Sequence, residues 1–172
     1  MGTTHKPIMP AAYSPRGSKP ALTLRQQALR ALARREYSRA ELARKLSRRG
    51  ADAPAAGELD ALLDEFEGSG WLSDARFAAG AARHRGGRYS QRYIVADLKS
   101  RGVDSDTAKD AVSALGQDDY AIAAGLWRQR FGAPPADAKE KARQIRFLQA
   151  RGFAFSVVLR VLREQGVDPG DE

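Results

Sequence analysis

The sequence predicts an all-α chain built from three tandem three-helix, helix-turn-helix-like repeats. Three observations point there. Ala, Leu, Arg and Glu dominate the 172 residues, and the period-2 runs of Val, Ile and Tyr that mark strands are missing. After residue 20, apolar residues recur at helical spacing in nine stretches, several opened by a Ser, Thr or Asp that can cap a helix. The pattern Leu-x-x-Arg-Gly also occurs three times, beginning at Leu46, Leu98 and Leu148, at spacings of 52 and 50 residues. A repeat at that period is the signature of stacked structural units.

In the first group, Thr23 caps a helix expected to run to about Arg35, with Leu24, Ala28, Leu29 and Leu32 on one side. Ser38 is expected to cap the second helix, with Glu41 as the other half of a capping box. Leu42 and Leu46 stack on one face, and Gly50 supplies the left-handed residue that ends the helix. A third helix is expected at roughly 55–68, carrying Leu59, Leu62, Leu63 and Phe66.

The second group repeats the plan. Ser73 caps a helix holding Phe77, Ala78 and Ala81, which ends near Gly86-Gly87. Ser90 opens the next, Ile94 and Leu98 take the places of Leu42 and Leu46, and Gly102 closes it. Ser105 is expected to cap a third helix with Ala108, Ala111, Val112 and Leu115.

The third group is looser. Asp118 or Asp119 caps a helix with Tyr120, Ile122, Ala123, Leu126 and Trp127, and aligning Tyr120 with Phe77 places Trp127 opposite His84. Gly132-Ala-Pro-Pro135 breaks the chain before a helix from about 136 to Arg151, without a capping box. Gly152 ends it, and Phe155 to Gln165 forms the last helix. The expected organisation is a tail at 1–20 and repeats at 21–70, 71–116 and 117–172. The tail, MGTTHKPIMPAAYSPRGSKP, holds four prolines and no apolar run. It is expected to be disordered and polar rather than a signal peptide.

The absence of cysteine excludes a disulfide framework, a Cys-based zinc site and a thiol nucleophile, and fits a cytoplasmic protein,. No stretch approaches eighteen apolar residues, so no transmembrane helix is expected. His5 and His84 have no catalytic or metal-ligating partners at useful spacing. Asp60, Asp64 and Glu65 fall on the polar side of an amphipathic helix, and Gly86-Gly87 lacks the Gly-Lys-Ser/Thr of a phosphate loop. Nothing argues for an enzyme, a metal or a cofactor.

The net charge of +8 points to an anionic partner,. It is distributed with the repeat. Residues 1–50 carry twelve basic and two acidic side chains, whereas 51–70 carry six acidic and none basic. Residues 71–103 hold seven basic against two acidic, and 104–120 one against five. One reading pairs each basic helix with an acidic neighbour, which contributes only about 0–1 kcal/mol per surface pair. The other aligns the middle helices along an elongated molecule as a basic strip: Arg44, Lys45, Arg48 and Arg49; then Arg88, Arg92, Lys99 and Arg101; then Lys141, Arg143, Arg146 and Arg151. The strip is favoured, because the basic excess survives the pairing, and it suits a repetitive polyanion or filament. Two classes remain: a nucleic-acid-binding helical array, or a scaffold docking on an acidic or filamentous protein. No middle helix carries a convincing base-reading set, so sequence-specific DNA recognition is disfavoured.

The stretches LRALARREYSRAELARKLSRRG, GWLSDARFAAG, DLKSRGV and FLQARGF, in this order and spacing, resemble the RecX family of bacterial recombinase regulators. The resemblance covers about residues 24–166. It implies an elongated, curved array of the three repeats that binds the RecA–DNA filament along its groove. It also implies inhibition of the recombinase's ATPase, filament extension and strand exchange, with effects on recombinational DNA repair and the SOS response. Such proteins are not enzymes and need no cofactor; weak binding to single- or double-stranded DNA and a monomeric state are expected. The alternative is a general, sequence-nonspecific DNA-binding protein. The resemblance carries over no site residue, and the N-terminal tail and the Ala-Pro-Pro loop depart from its pattern.

Overall fold

The structure is a computed structural model that describes residues 22–48, 54–164 and 166. Among the described residues there are nine helices and no strand. They are α1 (Leu24–Leu32), α2 (Arg39–Ser47), α3 (Ala56–Gly68), α4 (Asp74–Arg85), α5 (Gln91–Ser100), α6 (Ser105–Ser113), α7 (Asp119–Arg130), α8 (Ala138–Gln149) and α9 (Phe155–Glu164). Helices pack within triplets: α1–α3, α4–α6 and α7–α9. The expected tail, Arg49 and Gly50 lie outside the described residues.

Each triplet has its own core. Ala28, Ala31, Leu42, Leu46, Leu59, Leu63 and Phe66 form the first; Phe77, Ala78, Ala82, Ile94, Leu98, Ala108 and Val112 the second. Ala123, Ala124, Trp127, Leu148, Val158, Val161 and Leu162 form the third. Leu72, on the second-repeat side of the expected boundary, packs into the first core, with its amide bonded to the Phe66 carbonyl.

The caps hold with informative exceptions. Thr23 and Gln26 form a full capping box at α1. Ser38 Oγ accepts the Glu41 amide, but the Glu41 carboxylate does not return to Ser38: it holds Arg35 and Arg101 instead. The cap of α6 is Asp104 rather than Ser105, accepting from the Asp106 and Thr107 amides. A carboxylate at a helix N-terminus is favoured by both the free amides and the dipole; the Thr107 hydroxyl, together with those amides, holds its pKa below the ordinary value. Helix α1 stops at Leu32, short of the expected Arg35, because the chain turns there and brings Tyr37 into the core.

The third triplet needs a different register. Ser73 and Asp118 cap helices of twelve residues each, so Trp127 falls opposite buried Ala82, not His84. Helix α8 spans Ala138–Gln149 rather than 136 to 151 and is capped by Asp137.

At its second and third occurrences, Leu-x-x-Arg-Gly is a helix stop that also joins the repeats. The Val103 amide reaches back to the Leu98 carbonyl and the Gly102 amide to Lys99, with Gly102 at φ 90°. Phe153 and Gly152 do the same with Leu148 and Gln149. This closure satisfies helix-end carbonyls and buries the residue after glycine, here Val103 and Phe153,. The arginine carbonyl is left over and points at the preceding repeat. Arg101 O accepts Ser38 Oγ at 2.7 Å, and Arg151 O accepts the Ser90 amide at 3.1 Å. In return Asp74 accepts the Arg39 amide (2.7 Å), and Asp119 the Gln91 amide (3.0 Å). The same joint is therefore made twice.

Candidate polyanion-binding surface

The structure separates cations used inside the fold from those left over. Acidic α3 holds Arg25 through Glu65 (2.6 Å) and Arg39 through Asp64 and Glu67 (2.7 and 2.6 Å). Arg76 pairs with Glu36 across the first joint, and Arg85 with Asp97 within the second repeat. None of these arginines belongs to the strip expected from the sequence. Pairing with acidic neighbours therefore falls mostly on arginines outside the expected strip, Arg101 being the exception.

Of the strip residues, Arg44, Lys45 and Arg48 are exposed on and just after α2. The Arg44 guanidinium reaches the Arg101 carbonyl at 3.4 Å. Arg88, after α4, and Lys99, on α5, are exposed. Arg92 is drawn into the second joint, donating to the Gly152 and Phe153 carbonyls. Arg101 is half-buried between Asp97 (2.9 Å) and Glu41 (3.5 Å). Arg143 lies 5.7 Å from the Phe131 ring centre, and Arg151 lies 3.8 Å from that of Phe147. Lys141 is half-buried and Arg146 exposed. Among the described residues, Arg101 alone of the eleven strip cations described has a carboxylate partner.

In the first and third repeats, residues of the first helix line grooves together with residues of the expected strip. In the first repeat, Arg44, Lys45 and Arg48 share a groove of about 440 Å³ with Arg35, Tyr37 and Glu41. An adjoining groove adds Arg30 and Arg34. Arg35 lies 3.6 Å from the Tyr37 ring centre, within cation–π range,. In the third repeat, Arg130 and Arg151 line a groove of about 580 Å³ with Leu126, Gln129 and Phe147. The sequence reading did not single out Arg30, Arg34 and Arg130; for Arg30 and Arg130 the signal was the basic last turn of α1 and of α7.

Such a surface offers guanidinium and ammonium donors to oxyanions. No group of three or more His, Cys, Asp or Glu among the described residues could hold a metal ion. No helix among them is long and apolar enough to cross a membrane. Asp74, at the first joint, has its pKa raised by burial even though its carboxylate accepts the Arg39 amide.

Three family models match in chain order: the first three-helix domain of RecX at residues 25–59, the second at 73–112 and the third at 117–162. A regulatory protein RecX from Leptothrix cholodnii is 47% identical over 146 residues, covering 85% of this chain and 91% of its own. The chain belongs to the RecX family. Regulatory proteins RecX from Chromobacterium violaceum (47% over 140 residues, 81% of this chain and 89% of its own) and Ralstonia nicotianae (41% over 153 residues, 88% and 94%) are similar over comparable lengths. The crystal structure of RecX from Lactobacillus salivarius superposes with a TM-score of 0.64 at 18% identity, covering 83% of this chain and 94% of that one. RecX is a family of regulatory proteins, and its all-helical repeat fold is the one described here.

Proposed function

We propose that this RecX protein binds the RecA–DNA filament and restrains it, lowering ATP hydrolysis, filament extension and strand exchange, and so tempers recombinational repair and the SOS response. The observation that carries this reading is the set of exposed cations left without carboxylate partners among the described residues, spread over all three repeats. A small ligand would need one enclosed site. Cations recurring about every 50 residues along a jointed array suit a repetitive surface, where linked weak contacts gain from high effective concentration. Family membership supports a regulatory role, and the lack of a base-reading helix fits a target recognised by form and charge.

The test is single-stranded-DNA-dependent ATP hydrolysis by the recombinase of the same bacterium, titrated with this protein while DNA is in excess. Inhibition well below one molecule per recombinase protomer is the expected result. Inhibition that vanishes as DNA is added would identify competition for DNA, the behaviour of a nonspecific DNA-binding protein. Bare-DNA affinity would then fall with salt at a log–log slope of about −0.9 per phosphate contact.

A further inference from the structure

The second and third repeats place one structural site twice, and the second repeat shows what the site holds. Arg85 closes α4, Asp97 lies on α5 one residue before buried Leu98, and Arg101 follows that helix. The Asp97 carboxylate sits between the two arginines, bonded to Arg85 at 2.8 and 2.9 Å and to Arg101 at 2.9 Å. In the third repeat, Arg130 closes α7 as Arg85 closes α4, and both helices begin with an aspartate serving the preceding joint. Buried Gln144 and Leu148 set the register of α8 as Ile94 and Leu98 set that of α5. The counterparts of Asp97 and Arg101 are then Phe147 and Arg151. The two arginines are kept and the carboxylate between them is replaced by a ring.

The consequence is an open site. Arg130 is exposed and has no carboxylate partner among the described residues, while Arg151 lies over Phe147 and donates one N–H to the Phe147 carbonyl at 3.0 Å. Both line the groove floored by Phe147 and Leu126. We propose that this groove binds an aspartate or glutamate side chain of the protein component of the filament, one flanked by apolar residues, which takes the place Asp97 fills in the second repeat. The proposal rests on the filament reading above for its partner, though not for its chemistry. A carboxylate is preferred to a phosphodiester for two reasons. The internal occupant of the equivalent site is a carboxylate, and a peptide has the apolar flank that covers Phe147. The groove around Arg44, Lys45 and Arg48, by contrast, already holds a carboxylate, Glu41, paired with Arg35.

Two measurements on the full chain test this. In the first, the side-chain Nε–Hε resonances of the arginines are followed by NMR during titration with N-acetyl-aspartic acid N-methylamide, and separately with inorganic phosphate. The expected result is that Arg130 and Arg151 shift with the aspartate probe while Arg85 and Arg101 do not. In Asp97→Ala the second pair acquires the response. Equal shifts at all exposed arginines, or a stronger response to phosphate, would overturn the proposal. The second compares wild type with Arg130→Ala for binding to the recombinase–DNA filament and to a bare oligonucleotide. Loss of one charge-assisted contact is expected to weaken filament binding about ten-fold and change oligonucleotide binding by less than about two-fold. Equal weakening on both, or none on the filament, would sink the idea. A wild-type chain that ignores the filament but shows the NMR pattern would refute the filament reading and leave the carboxylate site standing.

Discussion

At position 144 the third middle helix carries glutamine where its counterparts carry Leu42 and Ile94, yet Gln144 is as buried as they are. Its Oε1 accepts the Trp127 indole N–H at 2.7 Å, and its Nε2 donates to the Ala133 carbonyl at 3.3 Å, tying the Gly-Ala-Pro-Pro loop to the core. A buried polar group is tolerated when its bonds are made and costly when one is broken. Trp127→Phe is therefore expected to destabilise the chain by about 1–3 kcal/mol. Combining it with Gln144→Leu should recover part of that loss, a coupling that urea unfolding of the double-mutant cycle reads directly. Asp74 makes a second residue-scale prediction. Burial raises its pKa, so the folded chain holds that proton more tightly than the unfolded one. Its unfavourable contribution grows as pH rises from the ordinary carboxylate range through the folded pKa. Asp74→Asn keeps an acceptor for the Arg39 amide and is expected to be neutral or stabilising at pH 7. Wild type gains on that variant as the pH falls from the folded pKa to the ordinary carboxylate value, a difference that melts across pH 3–7 will show,.

Among the elements, the middle helices were the most legible. Ser38 and Ser90 as caps, Leu98 and Leu148 as inward residues and Gly102 and Gly152 as stops all follow from local rules. Those rules did not say why serine was needed twice over. Ser38 Oγ accepts the Glu41 amide and donates to Arg101 O, whereas Ser73 only caps. Ser38→Ala is thus expected to cost about 1 kcal/mol more than Ser73→Ala, the net worth of one further hydrogen bond. Denaturant midpoints of the two variants check it. Gly152 also has two duties. At φ 85° it sits where side chains are strained, and a Cβ there would lie 2.6 Å from Tyr93 Cβ and 2.7 Å from Ser90 Oγ. Gly152→Ala is expected to destabilise by about 1–3 kcal/mol through overpacking of the joint, with hydrogen exchange rising first at the α5 N-terminus. The box expected at Ser38 and Glu41 failed because Glu41 finds two arginines, Arg101 from sixty residues away. No local pattern contains that competition.

Across the whole molecule, three cores are linked by polar joints, and among the described residues no hydrogen bond or ion pair connects the first repeat to the third. Each repeat therefore rests on its neighbour, as in other repeat arrays. The eighth helix begins earlier than its counterparts, at Ala138 under an Asp137 cap, so the serine-capped end that accepts a following repeat is not rebuilt. The whole-molecule prediction concerns charge. Arg44→Glu combined with Arg48→Glu is expected to weaken filament inhibition at least several-fold while leaving the melting temperature close to wild type. Both side chains are exposed, and neither has a carboxylate partner among the described residues. Circular-dichroism melts beside the ATPase titration separate the two effects; unchanged inhibition after reversal in all three repeats would remove the basic surface from the mechanism.

The sequence by itself determined the helices, most of their caps, the glycine stops at Gly102 and Gly152, the threefold repeat and the excess of basic residues. These depend on periodicity and on partners within a few positions along the chain. Only the tertiary structure decided which cations remain available. Arg39, Arg85 and Arg101 are taken up by Asp64, Glu67, Asp97 and Glu41, while Arg44, Arg48 and Arg130 find no carboxylate among the described residues. A long side chain pairs with whatever packing brings within about 4 Å. That neighbour is set by how one helix meets the next and one repeat meets another, and the order of residues along a single helix does not contain it.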